Sequence, residues 1–307
     1  MTKENEPLVG VVMPAYNQGR FVGEAIDSLK KQTFQNFFVH IIDDGSNDGV
    51  TPDILKAVEY EKAKVFLYKM NRGVAYRVRE HFAKLKTKYV MVFCADDILA
   101  PTFLEDTVKK MDENPKCGIV STNIYEFSEN YKMEIKFDKK KMTLPYMLSR
   151  CYCLGSSLIR KQSLENLDYS GGFVRYQDWD RLTTIIENGW EAELVEKPLF
   201  YYRQLSTSLS HSISIDEEVG IRKKMLKKHA KYYKKYYETV ILDMQYHFSE
   251  MKMGKNWLDE QYHYLNDEIK RLKNENRVLS NQNRQLNKEK NNRFNVKKCI
   301  KRMIRKY

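Results

Sequence analysis

The chain has 307 residues, 42% of them hydrophobic and 12% aromatic, which is enough for a core of roughly 200 to 250 residues plus an appendage and excludes a disordered chain. No apolar run approaches the ~18 residues of a membrane span, and the charged start, Met1 to Pro7, lacks the apolar stretch of a leader, so a cytoplasmic protein is expected. The net charge of +12 is localised: residues 220–237 hold eight Lys/Arg and residues 291–307 seven, with no acids in either stretch, leaving 38 bases against 41 acids elsewhere.

From Leu8 the pattern alternates between strand and helix, as in a mostly parallel sheet covered by helices. Leu8 to Met13 is an apolar strand halted by Pro14, and Gly23 to Lys31 has helical spacing through Ala25, Ile26 and Leu29. Phe38 to Ile42 is a second strand ending in Asp43-Asp44-Gly45-Ser46. Pro52 to Lys62 reads as the next helix, with Thr51 as its N-cap. Val65 to Tyr68 is a third strand, His81 to Leu85 lies in a helix, and Tyr89 to Phe93 is a fourth strand leading to Asp96-Asp97. Successive strands thus deliver polar residues at their carboxyl ends, the edge where open α/β sheets bind ligands. Farther on, strands are expected at Gly118 to Thr122, Ser156 to Arg160 and Ala192 to Val195.

After Gly220 the chain has no proline, one glycine (Gly254) and a dense run of Lys, Tyr, Asn and Glu, which reads as helix. Steps of three and four pass without a break through Ile241, Met244, Phe248, Met251, Lys255, Leu258, Tyr262, Leu265, Ile269, Leu272, Asn276, Leu279, Asn283, Leu286 and Lys290. Every d position from Leu265 is leucine, and two successive a positions are Asn276 and Asn283. Paired asparagines at a favour a parallel, in-register homodimer, with a solvated single helix or an antiparallel hairpin as the alternatives. At ~1.5 Å per residue the seam would be about 75 Å long. In the final stretch Phe294, Val296, Ile300, Met303 and Ile304 gather on one side of a helix among six cations, as on a helix lying on an anionic membrane surface. A solvated tail is the plainer alternative; nucleic acid is not expected as a partner, because no base-reading module accompanies the charge.

Five cysteines, with one C-x-C (Cys151, Cys153) and no second pair, suit reduced thiols rather than a zinc site. The carboxylates are more informative. A hard divalent cation takes oxygen ligands, commonly one or two carboxylates plus phosphate oxygens, and Asp96-Asp97 offers two after a strand. Alone, such a pair is weak evidence, since helix caps and surface charge supply many. Met13-Pro14-Ala15-Tyr16-Asn17, Asp43-Asp44-Gly45-Ser46, Asn71-Arg72-Gly73-Val74 and Cys94-Ala95-Asp96-Asp97 occur in order after four successive strands, and Gln177-Asp178-Trp179-Asp180 follows.

With these motifs, from Leu8 to Ser210, the sequence resembles the inverting family 2 glycosyltransferases of the GT-A fold, of the kind that builds bacterial surface polysaccharides. The resemblance implies an α/β, Rossmann-like, mostly parallel sheet with helices on both faces, followed by a helical, coiled-coil extension. It implies a GT-A domain over 1–215, and the composition adds a basic helical linker at 216–240, a coiled coil at 241–290 and a basic amphipathic tail at 291–307. By the same resemblance Pro14, Ala15 and Tyr16 cradle a nucleotide-sugar donor, the Tyr16 ring stacks on the base, and Asp44 accepts from a base N–H, as uracil of a UDP-sugar presents. Asn71, Arg72 and Gly73 close over the nucleotide, and Arg77 or Arg79 reaches the diphosphate, a solvated helix face being their other reading. Asp96 contacts ribose or the metal, Asp97 binds Mn²⁺ or Mg²⁺, and Asp178 deprotonates a hydroxyl of a glycan or lipid-linked acceptor. Asp180 is read as a helix-start charge. Where many relatives carry an Asp this chain has Cys94, read as a buried spacer, and where they carry a His it has Leu205; His211 is the candidate replacement metal ligand, or else an ordinary loop histidine. The extension and the resemblance together imply attachment at the inner face of a cell membrane. Rival readings are a nucleotidyltransferase, disfavoured because Pro14-Ala15-Tyr16-Asn17 is no glycine-rich loop, and an inactive domain serving as a coiled-coil scaffold.

Overall fold

The computed structural model describes residues 6–168, 173, 175–205 and 213–304, the side chains of 254–269, 272 and 286–304 excepted. It divides into two units, 1–244 and 245–307.

In the first unit the order is β1 (Val9–Pro14), α1 (Gly19–Lys30), β2 (Phe37–Asp44), α2 (Thr51–Lys56), β3 (Ala63–Tyr68), α3 (Val74–Lys84), β4 (Tyr89–Val92), β5 (Ile98–Leu99) and α4 (Phe103–Glu113). There follow β6 (Cys117–Phe127), β7 (Lys132–Ile135), α5 (Leu144–Met147), β8 (Leu158–Arg160), α6 (Gln177–Glu187), β9 (Glu191–Arg203), α7 (Ile215–Lys228) and α8 (Ala230–Ile304), the last continuing through the second unit. The strands form one sheet in the order β3-β2-β1-β4-β8-β6-β9-β5, with β7 on β6. β3, β2, β1 and β4 are mutually parallel; beyond β4 the sheet is mixed, β8 pairing antiparallel to both β4 and β6 while β9 runs parallel to β6. The parallel character expected for most of the sheet therefore belongs to its first half.

β1 and β4 are near-continuous runs of Val, Met and Tyr because both faces are covered, as parallel strands require. One face packs α1 through Val22, Ala25, Ile26 and Leu29 and α4 through Phe103, Leu104, Val108 and Met111; the other packs Val78 and Phe82 of α3 and Trp179, Leu182 and Ile185 of α6. The chain passes from β1 outward to β2 and β3, then returns to β4 on the other side of β1. That reversal opens a crevice at the carboxyl ends of β1 and β4.

Two local expectations change. Thr51 is the first residue of α2 rather than its cap: its N–H and hydroxyl both donate to Asp48, and the helix ends at Lys56, well short of Lys62. The stretch 216–240 folds onto the first unit. Met225, His229 and Val240 are buried there, and a capping box of Ser214 with Glu217 starts α7. Most of its cations face solvent while a sparse stripe, joined by Arg222 and Lys228, packs inward, and such a stripe is hard to see under so dense a charge.

Candidate active site

The loops after β1 and β2 are fastened to each other. Asp43 accepts from the N–H and hydroxyl of Ser46 at 2.9 and 2.6 Å; that hydroxyl accepts from Asn17 N–H at 2.8 Å, and the Asn17 side chain donates to Asn47 Oδ1 and accepts from Asn47 N–H, both at 2.9 Å. Ala15 N–H donates to Ile42 at 2.9 Å, leaving Tyr16 39% exposed over the crevice-side loop. Gly45 has φ +77°, and a Cβ there would stand 2.9 Å from Asn71 N, so the third loop can approach only a glycine.

Asp44 is the hinge of that approach. Its carboxylate accepts from Arg72 N–H at 3.0 Å, Gly73 N–H at 2.7 Å and Arg77 Nε at 2.6 Å, so a base N–H would have to share an oxygen already engaged. Of the two candidate arginines, Arg77 is buried: it also donates to Glu80 at 3.0 Å and Met70 O at 2.9 Å, and its guanidinium lies 3.4 Å from the Tyr68 ring centre. Arg79 is exposed, as are Asn71 and Arg72, whose guanidinium rests on Tyr76.

At the end of β4, the ligand atoms of Cys94, Asp96 and Asp97 lie within 4.8 Å of one another. Asp97 is 2% exposed, and its Oδ1 accepts from Arg203 N–H at 3.0 Å. Burial first, and then the Asp96 charge, push the Asp97 carboxyl well above its ordinary value; burial also raises Asp96. Two desolvated carboxylates side by side are what a hard divalent cation compensates, and their oxygen chemistry fits Mg²⁺ or Mn²⁺. Cys94 does not improve the fit. Burial, followed by Asp97, Asp96 and Asp178, holds its thiol protonated, and thiols are soft donors.

Asp178 adds to the negative charge acting on Cys94. Asp178 stands in the first turn of α6, after Tyr176 in the left-handed conformation (φ +57°), and its carboxylate seats on Gly155, where an added Cβ would meet Oδ2 at 2.2 Å. Asp180, two residues on, is wholly buried and faces away into Lys228 and His229. Leu205 is half-buried, and His211 lies outside the described residues.

Three residues of this site escape a reading of motifs. Arg203 donates through Nε to Asp96 O at 2.8 Å, pairs with Glu24, and sits 4.8 and 4.6 Å from the rings of Phe21 and Phe127; Gln18 donates to Asp96; Gly155 seats Asp178. The bond of Arg203 to the Asp96-Asp97 turn needs β9 and β5 paired, and β5 is only two residues long.

The model of the family described as "Glycosyl transferase family 2" matches residues 10–168, more than half of the chain and all four loop motifs. The chain belongs to glycosyl transferase family 2. Similar members include an uncharacterised glycosyltransferase of Methanocaldococcus jannaschii, 26% identical over 65% of this chain and 71% of that one, and glycosyltransferase GlyG of Streptococcus pneumoniae, 29% identical over 40% and 41%. Among solved structures, residues 1–349 of S. aureus TarS with UDP-GlcNAc aligns with TM-score 0.57 and 17% identity over 68% of this chain and 62% of that one. Mannosyltransferase PcManGT from Pyrobaculum calidifontis, with GDP-Man and Mn²⁺, aligns with TM-score 0.55 and 17% identity over 76% and 69%. The fold is shared with both, and the protein is a transferase of this family with a mixed α/β, GT-A-like sheet. Among the described residues no helix is long and apolar enough to cross a membrane.

Proposed function

We propose that the protein transfers a sugar from a nucleotide-sugar, a UDP-sugar in the first instance, to a hydroxyl of a glycan or lipid-linked acceptor with inversion at the anomeric carbon. The observation that carries this reading is the clustered, desolvated Asp96-Asp97 pair at the end of β4, in a chain whose family match spans all four loop motifs. Tyr16 is the stacking surface for the base, Asn71-Arg72-Gly73 the flap over the nucleotide, and Arg79, exposed on α3, the cation for the diphosphate. Asp96 is the ribose contact and Asp97 the cation ligand. A divalent cation held there supplies compensation for charge developing on the departing diphosphate.

Asp178 takes the acceptor proton as the new C–O bond forms and the bond from the anomeric carbon to phosphate breaks on the opposite face. A carboxylate suits this because the hydroxyl is acidified only as it attacks, and such base catalysis contributes ~10² to 10⁴-fold. UDP-containing and GDP-containing complexes of the structural neighbours support a nucleotide-sugar donor. A thermal-shift panel of UDP-, GDP- and TDP-sugars with Mn²⁺ tests the reading. UDP-sugars should stabilise the wild type and not Asp97→Asn; no stabilisation by any sugar nucleotide would count against it.

The reading extends to the rest of α8. In the second unit Phe248, Met251 and Leu279 are 60, 68 and 55% exposed at heptad spacing, with Asn276 and Asn283 between leucine layers, which supports a parallel coiled-coil homodimer. Sedimentation equilibrium should give a dimer mass. The basic tail is assigned to an anionic membrane surface at the inner face of the cell membrane, which liposome flotation against a chain ending at Lys290 tests; equal partitioning would remove that role.

A further inference from the structure

The described part of α7 and the first turns of α8 are fixed to the first unit at two buried acidic anchors, and both lead to Asp178. The first is Asp180, on α6 itself. Its carboxylate accepts from Lys228 Nζ at 2.7 and 2.8 Å and lies 3.4 Å from His229 Nε2, while His229 Nδ1 pairs with Glu187 at the other end of the same helix. The second is Asp243 of α8, 5% exposed. It accepts from Tyr152 OH at 2.8 and 2.7 Å, from Lys141 Nζ at 2.9 Å and from Ser149 Oγ. Between the anchors Tyr233 OH donates to Leu148 O at 2.6 Å, and ahead of them Arg222 donates to Ser149 O at 3.2 Å and lies 5.5 Å from the Trp179 ring centre.

Asp178 has two supports, and each anchor holds one. Its backbone is the first turn of α6, which Asp180 ties to α7 and α8. Its carboxylate rests on Gly155, at the end of the segment 149–155 that Asp243 ties to α8 through Ser149 and Tyr152. Burial and the neighbouring Asp243 push the Tyr152 phenol up to about 12, so it remains a donor across the working pH range. A buried carboxylate with this many donors is a costly arrangement that fixes geometry rather than adding much net stability.

We infer that Asp180 and Asp243 are positioning residues for Asp178, and that residues 215–243 are therefore a working part of the transfer centre. The inference rests on the base role proposed above. Neither anchor touches a reacting atom, so each acts by setting where the Asp178 carboxylate stands, to which rate is steeply sensitive.

The test is a double-mutant cycle in the full chain, reading Mn²⁺-dependent UDP release from the UDP-sugar that gives the largest thermal shift, with UDP dissociation constants measured alongside. Asp243→Asn and Lys228→Met should each lower kcat about 10- to 100-fold and leave the UDP dissociation constant within about twofold. Combined with Asp178→Asn, either should cost almost nothing more, because the group it positions is gone. Tyr152→Phe, which keeps the buried ring and removes one donor, is the milder variant should Asp243→Asn fold poorly; a several-fold loss in kcat at unchanged UDP affinity is expected. Unchanged kcat in the single variants, or the same proportional loss with and without Asp178, would overturn the inference while leaving the base role standing. Full turnover in Asp178→Asn alone would overturn both.

Discussion

Gly155→Ala isolates the seat of Asp178 with one methyl group. The added Cβ would lie 2.2 Å from Asp178 Oδ2 and 3.1 Å from Cγ, whereas ordinary contact begins near 3.4 Å, so the carboxylate must withdraw by about 1 Å. Gly155 is not among the glycines with positive φ, so the backbone itself accepts alanine. Relief of unfolded-state entropy, worth ~0.4 to 1 kcal/mol, opposes the local strain, and the melting temperature should move by no more than about 4 °C. A 1 Å misplacement of a reacting group costs ~10²-fold, about 2.7 kcal/mol in the barrier. Steady-state turnover should therefore fall about 100-fold while the UDP dissociation constant, assigned to the loops after β1, β2 and β3, stays near the wild-type value. Turnover within about threefold of wild type would refute the reasoning, because Asp178 would then not work from this seat; an equal loss of UDP affinity would show a general distortion instead.

His40 and His81 share a buried Nδ1–Nδ1 contact of 3.0 Å, and burial pulls both imidazoles down to about 4. Because the folded values lie below the unfolded one of 6.5, the stability they contribute is present above pH 6.5 and lost as pH falls from 6.5 to 4. The loss is on the order of 3 kcal/mol per ring, read as a falling urea midpoint; His40→Phe should flatten that limb, and an unchanged slope would contradict the assignment. Arg77→Met should destabilise by ~3 to 5 kcal/mol by leaving Asp44 buried without its cation, and should loosen the 71–73 flap, raising the UDP dissociation constant. An effect below about 1 kcal/mol in urea unfolding would mean the pair is not held as described. Asn276→Leu with Asn283→Leu should raise the thermal stability of the helix and broaden its oligomeric state beyond dimer in sedimentation equilibrium; a monomer before and after would remove the coiled coil.

The first half of the sheet was legible because β1, β2 and β4 are buried on both faces, so that apolar runs and their terminal Asp and Asn residues stand out against polar loops. Neither β5, two residues long, nor β7, with Lys and Glu exposed on an outer strand, carries such a pattern. The inward stripe of α7 and α8 was hidden differently. Its members Met225, His229, Val240 and Asp243 include an imidazole and a carboxylate, satisfied only by partners on α6 and the 141–152 segment, and hydropathy cannot register a buried residue whose partner is distant in sequence. The same limit applies at the site. Asp96, Asp97 and Asp178 follow from motifs, but Arg203, Gln18 and Gly155 enter through strand pairing and close packing. Asp44, expected to face a base, is engaged by Arg72, Gly73 and Arg77, a contact that joins three separate segments.

The central claim is that Asp97 and Asp178 divide one transfer reaction between a cation-dependent leaving-group site and a base site. Turnover of the selected nucleotide-sugar with Mn²⁺, measured together with UDP binding in the wild type, Asp97→Asn and Asp178→Asn, tests it most directly. The account predicts turnover that EDTA abolishes, loss of at least about 100-fold in both variants, and Mn²⁺-dependent UDP binding that survives in Asp178→Asn but not in Asp97→Asn. Undiminished turnover in either variant, or turnover indifferent to EDTA, would contradict it.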